Sequence, residues 1–287
     1  MKPIIKDLQL DARLLSEGYI VVPFLTGAEV ETLKKIYYQH HAQALDGMAA
    51  TAHLPDLDMR MKMNDAVKEV FRRAIDENMI NANPLGGSFI AKGKGQRGTL
   101  SPHQDWNIVD EDLYRSFNIW VPLVDLTADN GAICIMPRSH TWIPSYRSAN
   151  IHSLYNQVEQ QLWQDMTPLY MRAGEALIYD HRLIHASGEN HTDEIRLAAV
   201  YGVIPAGAPM YYYHQKDEQT IEVYASNKEF FLYENIFQGP RTLQKISEAQ
   251  YSYAPVTPDQ YSRLRSGQPL QQQPRGALER VRQWLGL

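Results

Sequence analysis

His103-Gln104-Asp105 places an imidazole and a carboxylate two residues apart. In an extended strand such residues project from the same face, so the two side chains can grip one metal ion side by side. A third ligand from a distant strand would complete a set of two histidines and one carboxylate. That set leaves coordination positions open and is characteristic of non-haem Fe(II) oxygenases. His185 is the candidate, because the apolar Leu183-Ile184 leads into it at a turn about 80 residues downstream of Asp105. By itself a His-x-Asp pair is weak evidence: ten histidines among many aspartates produce one by chance, and His191-Thr192-Asp193 is a second. Context separates the two. Pro102 and a glycine-containing polar loop precede His103, and strand signals follow it, whereas His191-Thr192-Asp193 lies in a polar turn with only His214 beyond.

A 2-oxo acid chelating such a metal would need a partner for its far carboxylate deep in the barrel. A guanidinium suits this best, since its planar fork matches a carboxylate in a bidentate way. Arg196 stands eleven residues past His185, at the opening of Leu197-Ala198-Ala199-Val200-Tyr201. A turn between them would put it on the neighbouring strand, facing the same cavity. On spacing alone the plainer reading, an edge or surface arginine, stays open.

Strands are needed to carry such a site. Gly18-Tyr19-Ile20-Val21-Val22-Pro23-Phe24 is β-branched and aromatic, as a pleated surface prefers. Thr26 then offers an N-cap to a helix with Val30, Leu33, Ile36 and Tyr37 at helical spacing. A second helix is expected over residues 64–78, with Val67, Val70, Phe71 and Ile75 on one face. From about residue 86, short β-type runs recur at 88–91, 115–124, 131–136, 176–179 and 196–204. Turn signals such as Asp129-Asn130-Gly131 and Arg172-Ala173-Gly174 punctuate them. The pattern predicts a mainly β fold with flanking helices, a sandwich or jelly roll rather than a doubly wound sheet. One domain is expected over residues 1–287: helices in about 26–80, the core in about 86–236 and a tail from about 255. Polar stretches at 92–102 and 142–167 read as functional loops, the latter with a helix through Leu154, Val158 and Leu162. Tyr211, Tyr212 and Tyr213 alternate across a strand at best, with packing as their expected role. Residues 267–275 read as a linker and 277–287 as a short amphipathic helix.

The chain has 287 residues, 44% hydrophobic and 21% charged, with a net charge of −5 and no Lys/Arg-rich run. Nucleic acid and anionic membrane surfaces are therefore not expected partners. The single cysteine, Cys134, excludes an intramolecular disulfide or a multi-cysteine metal site among these residues, and its apolar setting suggests a small buried hydrophobe. Neither a signal-peptide pattern nor an apolar run near the ~20 residues of a membrane span is evident, so a cytoplasmic location is the expectation.

Several of these segments together resemble the phytanoyl-CoA dioxygenase family of Fe(II)/2-oxoglutarate oxygenases. The resemblance covers roughly residues 10–204. It includes Glu17-Gly18-Tyr19-Ile20-Val21-Val22-Pro23, Pro102-His103-Gln104-Asp105, Trp120-Val121-Pro122-Leu123-Val124-Asp125 and Asp129-Asn130-Gly131-Ala132. It continues through Pro137-Arg138-Ser139-His140, Gly174-Glu175-Ala176-Leu177 and His185-Ala186-Ser187-Gly188-Glu189-Asn190 to Arg196. It implies a double-stranded β-helix (jelly-roll, cupin-like) core, iron held by His103, Asp105 and His185, 2-oxoglutarate and O2 as cosubstrates, and Arg196 with Ser187 on the distal carboxylate. Trp120 is implied to pack against the cosubstrate. Two departures bear on local turns: Arg138 and Ala186 stand where the family usually has glycine. Halogenating relatives lack the carboxylate ligand, so Asp105 points to hydroxylation of an unactivated C–H, with release of succinate and CO2. Desaturation, epoxidation or cyclisation use the same ligands.

The substrate is expected to be a small molecule, entering past loops 92–102, 107–114 and 142–167. Lys92, Lys94, Arg97 and Arg147 are candidates to recognise an acidic group on it, against the plainer expectation that they are solvated. His140 and His181 are expected to be exposed or hydrogen-bonded structural histidines, His40-His41 to be solvated, and Gln104 to face away from the metal. Two readings of other classes share the spacing: a metal-free jelly-roll binding module, and a zinc hydrolase on the same ligand set.

Overall fold

The computed structural model describes residues 2–41, 45–268 and 270. The expected linker and C-terminal helix therefore lie largely outside the described residues. In chain order the elements are α1 (Leu8–Glu17), β1 (Tyr19–Pro23), α2 (Gly27–His40), β2 (Met48–Ala50), α3 (Leu57–Asn78), β3 (Ala82–Lys92) and β4 (Leu100–His103). They continue with β5 (Phe117–Pro122), β6 (Ile133–Ile135), α4 (Glu159–Asp165), β7 (Thr167–Pro168), β8 (Glu175–Asp180), β9 (His185–Ser187) and β10 (Arg196–Pro205). The last are β11 (Met210–Asp217), β12 (Thr220–Ser226), α5 (Lys228–Tyr233), β13 (Gln244–Gln250) and α6 (Pro258–Arg265).

From β3 to β10 the chain passes back and forth between two antiparallel sheets, the larger ordered β1-β8-β5-β10-β3-β2 and the smaller β4-β9-β6-β7. This is the expected jelly roll. Alternation along each strand of the larger sheet builds two cores from one sequence. Ile119 and Val121 of β5, Ile178 of β8 and Leu197 and Ala199 of β10 face the helices, packing with Leu33, Val67 and Phe71. Their neighbours Trp120, Leu177, Tyr179 and Ala198 turn inward and pack with Ile133 and Ile135 of the smaller sheet. Each fully buried side chain such as Phe71 or Leu33 contributes roughly 1.5–3 kcal/mol. The inner layer is where polar side chains of the same parity can meet inside the barrel.

Local signals explain the helices. Thr26 and Glu29 form a reciprocal capping box at the start of α2. The helix expected from residue 64 begins seven residues earlier, because Asp56 caps it by accepting from the Met59 N–H. α3 lies close against β3: a side chain at Gly87 would come within 2.7 Å of Val67. The helix expected in 142–167 is α4, preceded by a 3-10 turn over Asn156–Val158. The tyrosine-rich stretch forms β11, in a separate sheet ordered β11-β12-β13. Tyr211 and Tyr213 pack on one face and Tyr212 on the other, with the Tyr212 hydroxyl donating to the Ile236 carbonyl at 2.9 Å. Among the described residues no helix is long and apolar enough to cross a membrane.

Candidate metal centre

β4 and β9 pair with His103 directly opposite His185. The two rings lie 4.2 Å apart, centroid to centroid. Asp105, just past the end of β4, brings Oδ1 to 3.8 Å from His185 Nε2. One ligand atom from each of His103, Asp105 and His185 lies within 4.8 Å of the others, and among the described residues this is the one such cluster. The rival pair is dispersed: Asp193 bonds Lys94 at 2.7 Å, and His191 Nδ1 lies 3.7 Å from Glu189.

Backbone contacts settle which ring nitrogens face inward. His103 Nδ1 is 2.8 Å from the Ser101 carbonyl oxygen and His185 Nδ1 is 3.0 Å from that of Leu183. A carbonyl oxygen only accepts, so each Nδ1 carries a hydrogen, which leaves Nε2 as the nitrogen able to ligate a metal. Burial, reinforced by the adjacent His185, pushes the His103 pKa down to about 4, so the ring is neutral at pH 7. Burial alone would raise the Asp105 carboxyl, but the His185, His181 and His103 rings bring it down to about 2. Two imidazoles and one carboxylate are a donor set suited to a divalent first-row metal.

Asn118 and Tyr179 surround Asp105, and neither was singled out from the sequence. Asn118 Nδ2 donates to Asp105 Oδ2 at 2.8 Å and lies 3.3 Å from the Tyr179 hydroxyl, which is 3.4 Å from His185 Nε2. The signal was parity: Asn118 shares its face of β5 with Trp120, and Tyr179 shares its face of β8 with the inward Leu177.

Two cavities meet at the ligand cluster, both lined by Gly86, Leu100, His103, Asp105 and Asn118. The smaller, about 270 Å³, continues to Trp120, Ser187 and Arg196. Arg196 is 3% exposed, its Nε has no hydrogen-bond partner, and its Cζ lies 5.3 Å from the centroid of the Trp120 ring. It is therefore an interior arginine, held by a cation–π contact. Burial lowers its pKa to about 10, which leaves it charged at pH 7.

The larger cavity, about 480 Å³, is walled by Met61 and Asn64 of α3, Trp106, Ile108, and Phe231 and Leu232 of α5. Of the three loops expected at the entrance, 92–102 and 107–114 supply only Leu100 and Ile108, and 142–167 supplies none of the wall. α5 takes their place because Arg60 Nη1 donates to the Leu232 and Glu234 carbonyls, at 3.2 and 3.3 Å, and pins it over the opening.

The four candidate cations are otherwise engaged. Arg147 is buried, with Nη2 2.5 Å from Glu111 Oε1 and Nε 2.6 Å from the Asp105 carbonyl oxygen. Lys94 pairs with Asp193 and Arg97 with Asp46, both on the surface. Lys92 is not a loop residue: it ends β3, fully buried, with Nζ 2.6 Å from Ser187 Oγ. His140 is buried, with Nε2 3.0 Å from the Leu15 carbonyl. His181 is buried too, and against expectation neither ring nitrogen has a partner; it lines the larger cavity beside Asp105. Gln104 points away from the cluster, its amide reaching the Arg182 carbonyl. Of the His40-His41 pair, His40 is exposed and the His41 ring stacks on Tyr37. Cys134 is half-buried among apolar side chains.

Known proteins share this architecture. The structure superposes on HygX from Streptomyces hygroscopicus, solved with nickel and 2-oxoglutarate bound, with a TM-score of 0.51 at 16% identity over 69% of this chain and 87% of that one. It superposes on the epimerase SnoN, in complex with Fe3+, alpha ketoglutarate and nogalamycin RO, with a TM-score of 0.50 at 19% identity over 88% and 96%. At such identities these likenesses speak for the fold. In sequence the chain is 25% identical to the dioxygenase trt7 of Aspergillus terreus, over 60% of each protein. It is 32% identical to the dioxygenase FUM3 of Gibberella moniliformis, over 63% of this chain and 66% of that one. The chain thus spans about two thirds or less of these relatives' lengths. The family model for phytanoyl-CoA dioxygenase matches residues 16–198, more than half of the chain, which belongs to the phytanoyl-CoA dioxygenase family.

Proposed function

We propose that the chain is a non-haem Fe(II)- and 2-oxoglutarate-dependent dioxygenase that hydroxylates an unactivated C–H of a small-molecule substrate, releasing succinate and CO2. His103, Asp105 and His185 would hold the iron; Arg196, Ser187 and Trp120 would hold the cosubstrate. One observation carries the reading: two imidazoles and a carboxylate converge within 4.8 Å, in a cavity that also contains a buried arginine with an unpartnered Nε. A metal-free binding module gives no reason to gather these groups. A zinc hydrolase gives none for Arg196, which lies in the cavity away from the larger, substrate-sized one.

When bound, iron and 2-oxoglutarate supply an oxidant, made from O2, that is able to cleave a strong C–H bond. The protein's part is to position and to shield. The Ser101 and Leu183 carbonyls fix the two imidazoles, and Asn118 holds the carboxylate. The Arg196 guanidinium, charged and unable to donate a proton near pH 7, orients the far carboxylate of the cosubstrate. A substrate in the larger cavity would lie on the opposite side of the ligand cluster from Arg196, against Trp106 and Phe231.

Succinate formation from 2-oxoglutarate in air tests the reading. It is expected to require Fe(II) and O2 and to vanish in His103→Ala and Asp105→Ala; near-normal turnover in both variants would overturn it. With a substrate found by screening, one product oxygen drawn from isotopically labelled O2 would identify hydroxylation, and its absence would favour desaturation or another outcome.

A further inference from the structure

Lys92 and Arg196 are direct partners across β3 and β10. Side chains at such a pair lie on the same face, and like charges placed there repel. Both are almost wholly buried, Lys92 at 0% and Arg196 at 3% exposure. Among the described residues neither forms an ion pair. The Lys92 ammonium instead donates to three neutral oxygens: Ser187 Oγ at 2.6 Å, the Ser187 carbonyl at 3.0 Å and the Gly188 carbonyl at 2.5 Å. Burying two facing cations without a counter-charge is costly, and a bound dicarboxylate would supply that counter-charge. Burial, and then the Arg196 charge, push the Lys92 pKa from 10.5 down to about 7, while Cys134 on β6 acts weakly the other way.

The hydrogen-bond inventory sharpens the point. An ammonium has only donors, so Ser187 Oγ must accept from Lys92. The hydroxyl hydrogen is then left to be donated elsewhere, and Ser187 lines the same cavity as Arg196. We infer that Lys92 is a positioning residue for the cosubstrate: it makes Ser187 a donor beside Arg196 and adds the second positive charge by which the pocket selects a dicarboxylate 2-oxo acid over one with an uncharged tail. This rests on the functional reading above.

The test compares two ligands of equal length on the full chain. Mn(II)-loaded wild type, Lys92→Met, Lys92→Gln and Ser187→Ala are titrated calorimetrically with 2-oxoglutarate and with 2-oxopentanoate, which lacks the distal carboxylate. Lys92→Gln keeps a donor for the carbonyls and covers the case in which Lys92→Met does not fold. The Lys92 variants should lose roughly tenfold to a hundredfold in 2-oxoglutarate affinity, the worth of a charge-assisted hydrogen bond, and change little toward 2-oxopentanoate. Ser187→Ala should show the same selective loss. Unchanged 2-oxoglutarate affinity in a folded Lys92 variant, or equal loss of both acids, would show that Lys92 only ties β3 to β9 and would overturn the inference. Wild type that binds Mn(II) but neither acid would overturn the functional reading itself.

Discussion

His103 and His185 occupy one rung of the β4–β9 ladder, so backbone pairing sets the two candidate ligand imidazoles side by side, their ring centroids 4.2 Å apart. Asp105 lies beyond that rung and depends on Asn118 for its orientation. Loss of any one of the three ligands should abolish retention of Fe(II) through desalting. Asn118→Ala should keep the ligands but weaken metal binding by roughly tenfold to a hundredfold, the usual scale for groups that orient ligands. A metal titration of each variant measures both effects, and an Asn118→Ala affinity equal to wild type would remove Asn118 from the account.

Arg196→Ala should act on the cosubstrate and leave the metal alone. Removing a buried charged partner should raise the apparent requirement for 2-oxoglutarate by roughly thirtyfold or more, with metal affinity unchanged. Steady-state kinetics across 2-oxoglutarate concentrations give the answer; an unchanged requirement would take Arg196 out of the site.

The pH dependence of cosubstrate binding has a defined sign. The Lys92 pKa is depressed to about 7, so its ammonium is present below that pH and lost above it. Binding a dianion favours the charged form. 2-Oxoglutarate should therefore bind most tightly below pH 7, weaken as the pH rises toward 9, and take up a proton when it binds above pH 7. In Lys92→Met the affinity should be flat over that range. Calorimetry in buffers of different ionisation enthalpy reads the proton directly, and tighter binding at higher pH would contradict the assignment.

Arg138, where the family usually has glycine, adopts φ +67°, a left-handed conformation that disfavours any residue with a Cβ. Its guanidinium reaches back to Glu17, with Nη2 2.8 Å from Oε1. Arg138→Ala loses this contact and keeps the strain, whereas Arg138→Gly loses the contact and relieves it. The glycine variant should melt above the alanine variant by roughly 2–4 °C, and the reverse order in a thermal scan would refute the strain.

Much of this was legible in the sequence because strand parity is rigid. The period of two placed His103 with Asp105, and it also sets Trp120 and Ala198 facing into the barrel. What parity could not reveal was how far β3 extends. Read as the first residue of a polar loop before Lys94 and Arg97, Lys92 looked like a solvated cation; β3 runs on to it because β10 pairs with it through Arg196. α5 has a local start signal in Asn227, which caps it by accepting from the Phe230 N–H, but nothing local says where the helix packs. Its place over the larger cavity is set by Arg60, whose partners lie 172 and 174 residues away in the chain. Long-range contacts of this kind leave no local trace.

The most direct measurement is the visible spectrum of the protein with Fe(II) and 2-oxoglutarate under anaerobic conditions. A metal-to-ligand charge-transfer band is expected in the wild type and should be absent in His185→Ala and Asp105→Ala. Wild-type protein with no band and no bound iron would contradict the metal centre and return the fold to the reading of a metal-free binding module.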